Sequence, residues 1–490
     1  MKYILTIDAG TTSVRAVLFD TQKNEFVKIE KQPFKQIFPK PAWVEHDAEE
    51  IWQKVKDCVL KVCENVNPDE IYGLGITNQR ETVVAWDSKT GKPLCNAIVW
   101  QCRRTSKFCA TLKKSKMSKV IHNKTGLIPD AYFSATKMKW LIDNVKEVKK
   151  ALTENTLKMG TIESYLVYRL TQGKSFVTDI TNASRTMLFN IKDLVWDEDL
   201  LNFFGIPKNV LPEVVDNDQV VGTTNILGNE IKIAGLIGDQ QSSLFGQGCF
   251  ERGMAKNTYG TGCFMLVNTA DKIIKSKHGL LSTIGYKCKN KISYALEGSV
   301  FNAGSVVNWA IDNLGIASSP EELTNLAAQV DSNEGVYLVP AFTGLGTPYW
   351  DMDARAIIVG MTRATDKRHF SRAVLESMAF SSYDVLKTMQ KDTKDKITEL
   401  HVDGGASENK SLMQFQCNLL QTKLNKYNQE STCLGAVFMT GLALNVYKNL
   451  GEIKKLLKPI CSYNPNTTLQ EISHELKSWK GAVKKCLRKI

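Results

Sequence analysis

The chain has 490 residues, of which 43% are hydrophobic and 23% are charged. This composition is typical of a globular protein and excludes extended disorder, and the length predicts two large domains or three small ones. Lys and Arg (63) exceed Asp and Glu (51), which gives a formal charge of +12. The lysines are scattered through polar segments instead of forming one basic block, so no nucleic-acid partner is expected.

The N-terminus becomes polar at Thr6 and Asp8, and no apolar run is long enough to span a bilayer. Neither a signal peptide nor membrane insertion is therefore predicted. The 12 cysteines include no CxxC pair, which argues against a zinc site or a redox motif. Together these features predict a cytoplasmic protein with reduced thiols.

The first twenty residues predict a strand over 3–8, a polar turn, and a second strand over 14–20. The turn carries a glycine and three hydroxyl residues, Gly10, Thr11, Thr12 and Ser13. Glycine allows close approach of the backbone to a ligand, and successive N–H groups can form a concavity that binds phosphate. Asp8, at the end of the first strand, can hold magnesium through water. A solvated hairpin tip is the alternative interpretation of this turn.

A helix over 48–65, capped by Asp47, is predicted next. A polar cluster, "NQRET", then interrupts an alternating apolar segment. Its Arg80 donates hydrogen bonds and its Glu81 accepts them, so together they can hold two neighbouring hydroxyls of a polyol. An ion pair across a strand end is the alternative. Downstream, Trp100 and Tyr132 are either core residues or an apolar wall of the same site.

The segment "GLIGDQQSSLFGQG" places Asp239 and Gln240 directly after an apolar strand. A hydroxyl that attacks a γ-phosphate needs an acceptor for its proton, and a carboxylate at a strand end can serve. The alternative role for Asp239 is the N-cap of the following helix.

Two further loops rich in glycine lie in the second half of the chain. "TYGTG" over 258–262 repeats the opening pattern and can hold terminal phosphates, while "DGGA" over 403–406, with Asn409, can accept a nucleotide base. The loose recurrence of strand and turn predicts two α/β domains of similar plan. We place them at residues 1–247 and 248–490, with a cleft between them.

The segments "GITNQRET", "NAIVWQCRRT", "GDQQSSLFGQ", "GMAKNTYGTGCFML" and "VDGGAS" occur in this order. In them the chain resembles the FGGY carbohydrate kinase family from about residue 3 to about residue 450. The resemblance implies a two-domain actin/hexokinase-like (ribonuclease H-like) ATPase fold with an interdomain cleft. It is most specific for members that phosphorylate glycerol.

For activity, the resemblance implies transfer of phosphate from ATP, with Mg²⁺, to glycerol. The product is sn-glycerol 3-phosphate, for glycerol catabolism and glycerolipid supply. The implied glycerol contacts are Arg80, Glu81, Tyr132, Asp239 and Gln240, with Trp100 and Phe264 on the carbon face. Asp239 is the implied general base. The implied nucleotide contacts are Thr11, Thr12, Ser13, Arg15, Thr261, Gly304, Asn308, Gly405 and Asn409, with Asp8 near the metal.

Asn308 stands where many members have Gln, so its reach is shorter by one methylene. A homodimer is also implied. Two alternative functions stay open from the sequence. The first is another FGGY kinase that acts on a longer polyol or ketose, such as erythritol or xylulose. The second is a non-catalytic actin-like ATPase, because one fold supports unrelated functions.

Overall fold

The computed structural model describes residues 1–427 and 430–487 of the chain. The strands of the first half are β1 (Tyr3–Ala9), β2 (Ser13–Asp20), β3 (Glu25–Pro33), β4 (Glu45–His46), β5 (Ile71–Asn78), β6 (Val84–Asp87), β7 (Ala97–Ile98), β8 (Leu157–Gly160), β9 (Val177–Asp179), β10 (Phe189–Asn190), β11 (Val195–Trp196), β12 (Glu213–Val215), β13 (Val220–Thr224) and β14 (Ile231–Gly238). The helices of the first half are α1 (Ala48–Val62), α2 (Ser106–Lys113), α3 (Lys116–Thr125), α4 (Ser134–Asn144), α5 (Lys146–Thr153), α6 (Ile162–Leu170), α7 (Ile180–Ala183), α8 (Glu198–Phe204) and α9 (Asp239–Gly246).

The strands of the second half are β15 (Ala255–Tyr259), β16 (Cys263–Ala270), β17 (Leu281–Cys288), β18 (Lys291–Val300), β19 (Tyr337–Val339), β20 (Ile357–Val359), β21 (Glu399–Asp403), β22 (Lys423–Lys426) and β23 (Cys461–Tyr463). Its helices are α10 (Gly304–Asp312), α11 (Pro320–Ala327), α12 (Lys367–Thr393), α13 (Lys410–Leu420), α14 (Ser431–Ala443), α15 (Leu450–Leu456) and α16 (Ser473–Cys486). Short 3-10 turns occur at Pro68–Glu70, Lys208–Val210 and Gly405–Glu408.

Two large mixed sheets follow one plan. The six-stranded sheet has the order β13-β14-β5-β1-β2-β3, in which β1, β2 and β3 are antiparallel while β5 and β14 run parallel to β1. The seven-stranded sheet has the order β17-β18-β16-β15-β21-β22-β23. There β15, β16 and β18 are antiparallel, and β21 and β22 continue parallel to β15. The recurrence predicted from the sequence is therefore present in the topology.

The register of the first sheet sets the position of the polar turns. Ala9 of β1 pairs with Asn78 of β5, which pairs with Gly238 of β14. Because these three strands are parallel and end in register, the residues that follow them emerge at one edge of the sheet. This edge brings together three segments that lie far apart in the chain.

The predicted opening hairpin and the helix after it are confirmed, with one difference in length. The Asp47 carboxylate accepts hydrogen bonds from the backbone N–H groups of Glu49 and Glu50, as expected of an N-cap. The helix ends at Val62 instead of 65, because Asn65 has a φ of 65° in the left-handed region. A residue in that conformation cannot continue a right-handed helix.

Helix α14 belongs to the second half of the chain but packs on β1, β5 and β14 of the first sheet. It also crosses α9 at a contact without side chains, where a Cβ on Gly435 would overlap the Ser242 carbonyl oxygen and one on Gly246 would overlap that of Ser431. The two halves of the chain therefore pack closely against each other through α9 and α14. The domain boundary near Gln247 stays a prediction.

The crossing of α9 and α14 predicts a specific cost for Gly435→Ala. The new methyl group must push the helices apart, and such overpacking destabilises proteins by about 1–3 kcal/mol, so the melting temperature should fall. Gly481→Ala in α16 is the matched control, since no heavy atom lies within 4 Å of its Cβ position. Alanine there should be neutral or stabilising because it favours helix. Equal melting temperatures for the two variants would contradict this account of the crossing.

Candidate active site

A small cavity of about 190 Å³ lies where the polar edge of the first sheet meets the second sheet. Its walls are formed by Thr11, Thr12, Arg80, Glu81, Trp100, Gln101, Tyr132, Asp239, Gln240, Thr258, Gly260, Thr261, Gly262 and Phe264. All seven residues predicted to bind the polyol are in this set. The structure therefore brings these seven residues together from five separate segments of the sequence.

The opening turn forms one wall of this cavity. The Gly10 N–H donates to the Ser13 carbonyl at 3.1 Å, which closes the tight turn predicted from the sequence. The Trp100 indole N–H donates to the Thr11 hydroxyl at 3.0 Å. This bond fixes the aromatic wall against the predicted phosphate loop.

Arg80 follows β5 and is nearly fully buried among five polar partners. Its Nη1 donates to Glu297 at 2.6 Å and to Gln241 at 3.0 Å, and its Nη2 donates to the Tyr132 hydroxyl at 3.3 Å. Its Nε lies 3.2 Å from Asp239 but 3.9 Å from Glu81. Arg80 and Glu81 therefore belong to a larger charged network and do not form an isolated ion pair.

Glu81 has a φ of 60°, a conformation that residues with side chains rarely adopt. Its carboxylate accepts a hydrogen bond from the Nε of Arg185 at 2.7 Å, and its carbonyl accepts one from Ser134 at 3.1 Å. These contacts hold both the backbone and the side chain of Glu81 at the cavity wall.

Asp239 is the first residue of α9, and the preceding Gly238 occupies the cap position. The carboxylate accepts from the N–H of Gln240 at 2.7 Å and is about a quarter exposed, to the cavity. The alternative that Asp239 is the N-cap of the helix is therefore wrong. Burial raises the pKa of Asp239 to about 6, against the effect of Arg80, while Glu81 and Asp8 raise it further.

The apolar wall consists of three aromatic rings in edge-to-face contact. The ring of Trp100 lies 5.6 Å from that of Tyr132 and 6.0 Å from that of Phe264, measured between centroids. Phe264 is on β16 of the second sheet, whereas Trp100 and Tyr132 come from the first half. Burial raises the pKa of Tyr132, so its hydroxyl stays protonated and can donate.

A buried lysine connects two walls of the cavity. The Lys256 ammonium donates to the Gln240 side-chain oxygen at 2.6 Å and to the Thr258 hydroxyl at 2.8 Å. Burial lowers the pKa of Lys256 to about 8, an effect opposed by Asp403. Lys256 thus fixes the orientation of the Gln240 amide, leaving its NH₂ group to face away from the ammonium.

A second cavity of about 760 Å³ adjoins the first and shares Gly260 and Thr261 with it. Its walls include Gly304, Asn308, Gly405 and Asn409, all predicted to contact a nucleotide. The Asn409 side chain caps α13 and donates to the Thr324 hydroxyl at 2.9 Å. Nothing lies within 4 Å of a Cβ position on Gly405, so this loop presents bare backbone to the cavity.

Three predicted nucleotide or metal residues are not among the described residues that line either cavity: Asp8, Ser13 and Arg15. Arg15 is directed toward Asp8, to which its Nε donates at 3.0 Å, and also pairs with Glu430. In this arrangement the Arg15 guanidinium is engaged by carboxylates. Direct contact of Arg15 with a nucleotide would require it to exchange these partners.

The sequence analysis missed Glu297, Arg185 and Lys256. Each is a charged residue within a buried segment: Glu297 in the apolar strand "YALEGSV", Lys256 in "AKNTY". A buried charge must be paired or functional, so the position of Glu297 inside an apolar strand was an available signal. Lys256 and Arg185 lie in polar segments and carried no such signal. The sequence alone does not name the partner of such a charge.

Comparison with known proteins identifies the family. The N-terminal domain model of the FGGY family of carbohydrate kinases matches residues 3–246, and its C-terminal domain model matches residues 255–444. The glycerol kinase of Francisella tularensis subsp. novicida is 50% identical over 99% of this chain and 98% of its own.

Solved structures agree. Plasmodium falciparum glycerol kinase with ADP superposes with a TM-score of 0.91 at 36% identity, over 100% of this chain and 99% of that one. A xylulose kinase from Lactobacillus acidophilus superposes with a TM-score of 0.88 at 25% identity, over 99% of this chain and 98% of that one. The expected two-domain α/β kinase fold is confirmed. The chain belongs to the FGGY family of carbohydrate kinases.

Proposed function

We infer that the chain transfers the γ-phosphoryl group of ATP to a terminal hydroxyl of glycerol. The observation that carries this inference is the small cavity lined by Arg80, Glu81 and Asp239, which joins a much larger cavity at Gly260 and Thr261. A volume of about 190 Å³ suits a three-carbon alcohol, and about 760 Å³ suits a nucleotide. Half-identity to a glycerol kinase over nearly the whole chain supports the same substrate.

Different walls of the cavity contact the hydroxyls and the carbon atoms of glycerol. Arg80 donates to one hydroxyl while the Glu81 carboxylate accepts from its neighbour, so the pair selects adjacent hydroxyls at fixed spacing. Trp100 and Phe264 cover the carbon face of the alcohol. Alcohols that lack one of these hydroxyls should bind poorly, because the buried Arg80 or Glu81 would then lose a hydrogen-bond partner.

Asp239 accepts the proton of the attacking hydroxyl. Its raised pKa favours this role, since a base with a pKa of about 6 is ionised at neutral pH yet binds a proton more readily than an ordinary carboxylate. Phosphoryl transfer needs an in-line arrangement of attacking and leaving oxygens. Thr11 and Thr12 of the opening turn line the small cavity, and Gly260 and Thr261 line both cavities, so these two loops are placed to hold the phosphates for that alignment.

Magnesium, bound with the nucleotide, would neutralise charge on the phosphates during transfer. Asp8, at the end of β1 and beside the turn expected to hold the phosphates, fits this ion and would bind it through water. Among the described residues no cluster of three or more metal-ligating side chains occurs. Magnesium usually keeps several waters and takes its other ligands from phosphates, so one or two carboxylates suffice.

Water must be kept from the transferring phosphoryl group. Glycerol contacts come from Arg80 after β5 and from Phe264 on β16, so bound glycerol favours the approach of the two halves and the exclusion of water.

We place the enzyme in the cytoplasm, where ATP is made. All twelve cysteines are free, which agrees with a reducing compartment. As a separate finding, no described helix is both long and apolar enough to cross a bilayer. The homodimer stays a prediction.

Product analysis tests the function directly. Incubated with ATP, Mg²⁺ and glycerol, the chain should form glycerol 3-phosphate, identified by mass spectrometry. Erythritol and D-xylulose should react with a far lower kcat/KM, because a longer carbon chain does not fit the small cavity. A higher kcat/KM for xylulose would show that the sister activity is the real one. ATP hydrolysis without any phosphorylated alcohol would instead indicate an ATPase switch.

Asp239→Asn should reduce kcat by about 10²–10⁴-fold, the usual loss for a general base, while ATP binding survives. Wild-type kcat/KM for glycerol should be full well above pH 6, half-maximal near pH 6 and lower still in more acidic buffer, because protonated Asp239 cannot accept a proton. The variant should lack this acidic limb. Asp143→Asn, which removes a surface carboxylate paired with Lys139, is the control and should behave as wild type. Near-normal turnover of Asp239→Asn would refute the assignment.

A further inference from the structure

Four charged side chains form a buried network between the two sheets. Arg80 and Glu81 follow β5, Arg185 follows α7, and Glu297 lies on β18 of the second sheet. Glu297 accepts from Arg80 at 2.6 and 3.1 Å and from Arg185 at 2.8 Å, while Arg185 also donates to Glu81 at 2.7 Å. The side chains of all four are at most 2% exposed.

Glu297 remains charged throughout the physiological pH range. Burial alone would raise its pKa, but the guanidiniums of Arg185 and Arg80 outweigh burial and lower the pKa to about 2. A carboxylate held between two arginines in a dry environment forms strong, directional bonds. Glu297 is therefore a fixed anchor for both arginines.

The geometry of the Arg80 pair decides which donors face the cavity. One carboxylate oxygen of Glu297 accepts a hydrogen bond from Nη1 of Arg80 and the other accepts one from Nη2, and this two-pronged pairing, here called the fork, fixes the plane of the guanidinium. The Nε edge of the guanidinium then faces Asp239, with 3.2 Å between Nε and the carboxylate. Without the fork, the guanidinium is free to rotate toward the remaining carboxylates.

We propose that Glu297 is a positioning residue that orients Arg80 toward glycerol and Asp239, with Arg185 doing the same for Glu81. Glu297 does not line the cavity, so it acts through Arg80 and not by touching the substrate. Since Glu297 belongs to the second sheet, the glycerol-binding arginine of the first half is set by the position of the other half. This inference rests on the proposed function.

Glu297→Gln tests the proposal because it keeps the shape and removes the charge. The amide presents a donor to a guanidinium, so one arm of the fork is lost and Arg80 moves toward Asp239. A misplacement of about 1 Å can cost about 10²-fold in rate, so kcat/KM for glycerol should fall by about that factor. The KM for ATP should stay unchanged, because the nucleotide cavity contains neither residue.

The pH profile supplies a readout that a merely structural role would not move. Asp239 is faced by Arg80, Glu81, Asp8 and Lys256. Loss of the negative charge on Glu297 and closer approach of Arg80 both stabilise ionised Asp239. The acidic limb of kcat/KM should therefore shift to lower pH in Glu297→Gln.

Asp197→Asn is the matched control. It also neutralises a buried carboxylate, paired with Lys124 at 2.8 Å, but lies outside both cavities and should leave the glycerol kinetics and the acidic limb unchanged. If Glu297→Gln does not fold, Glu297→Asp decides the question. It keeps the charge but shortens the reach, and should show the same loss specific to glycerol.

Two results would overturn the proposal: wild-type kcat/KM for glycerol in a folded Glu297 variant, or equal losses for glycerol and ATP. Either result would mean that Glu297 contributes to the stability of the fold but does not position Arg80 for glycerol. The proposed function fails separately, if the wild-type chain itself does not phosphorylate glycerol. In that case the wild-type assay is negative before any variant is compared.

Discussion

The site depends on one buried guanidinium held among carboxylates. Arg80 binds Glu297 of the second sheet, lies beside Asp239 at the start of α9, and touches the Tyr132 hydroxyl. A buried charge is tolerated only when its partners are complete, so these contacts are interdependent. The same arrangement that satisfies the arginine also sets the cavity wall, the orientation of the donors and the environment of the candidate base.

This arrangement is possible because of the strand order. The parallel strands β1, β5 and β14 end in register, so their following turns meet, and the second sheet repeats the plan with β15, β21 and β22. Gly246 and Gly435 let α9 and α14 cross without side chains between them. Asp239, at the other end of α9, is thereby held on a rigid element, as catalytic groups require.

Much of this was predictable from the sequence. The hairpin at 3–20, the polar break at Arg80 and Glu81, and the strand end at Asp239 each carried a local signal. The partners of these residues did not. Glu297 lies more than two hundred positions from Arg80, and no local pattern encodes such pairing. For the same reason the engagement of Arg15 by Asp8, and the packing of α14 on the first sheet, required the structure.

The central claim is that a terminal hydroxyl of glycerol meets Asp239 where the two cavities join. A crystal structure with glycerol and a non-hydrolysable ATP analogue measures this directly. The account predicts a terminal glycerol oxygen within hydrogen-bond distance of the Asp239 carboxylate, about 2.6–3.2 Å, and facing the γ-phosphate. Glycerol bound away from Asp239, or with its terminal oxygen turned from the γ-phosphate, would contradict it.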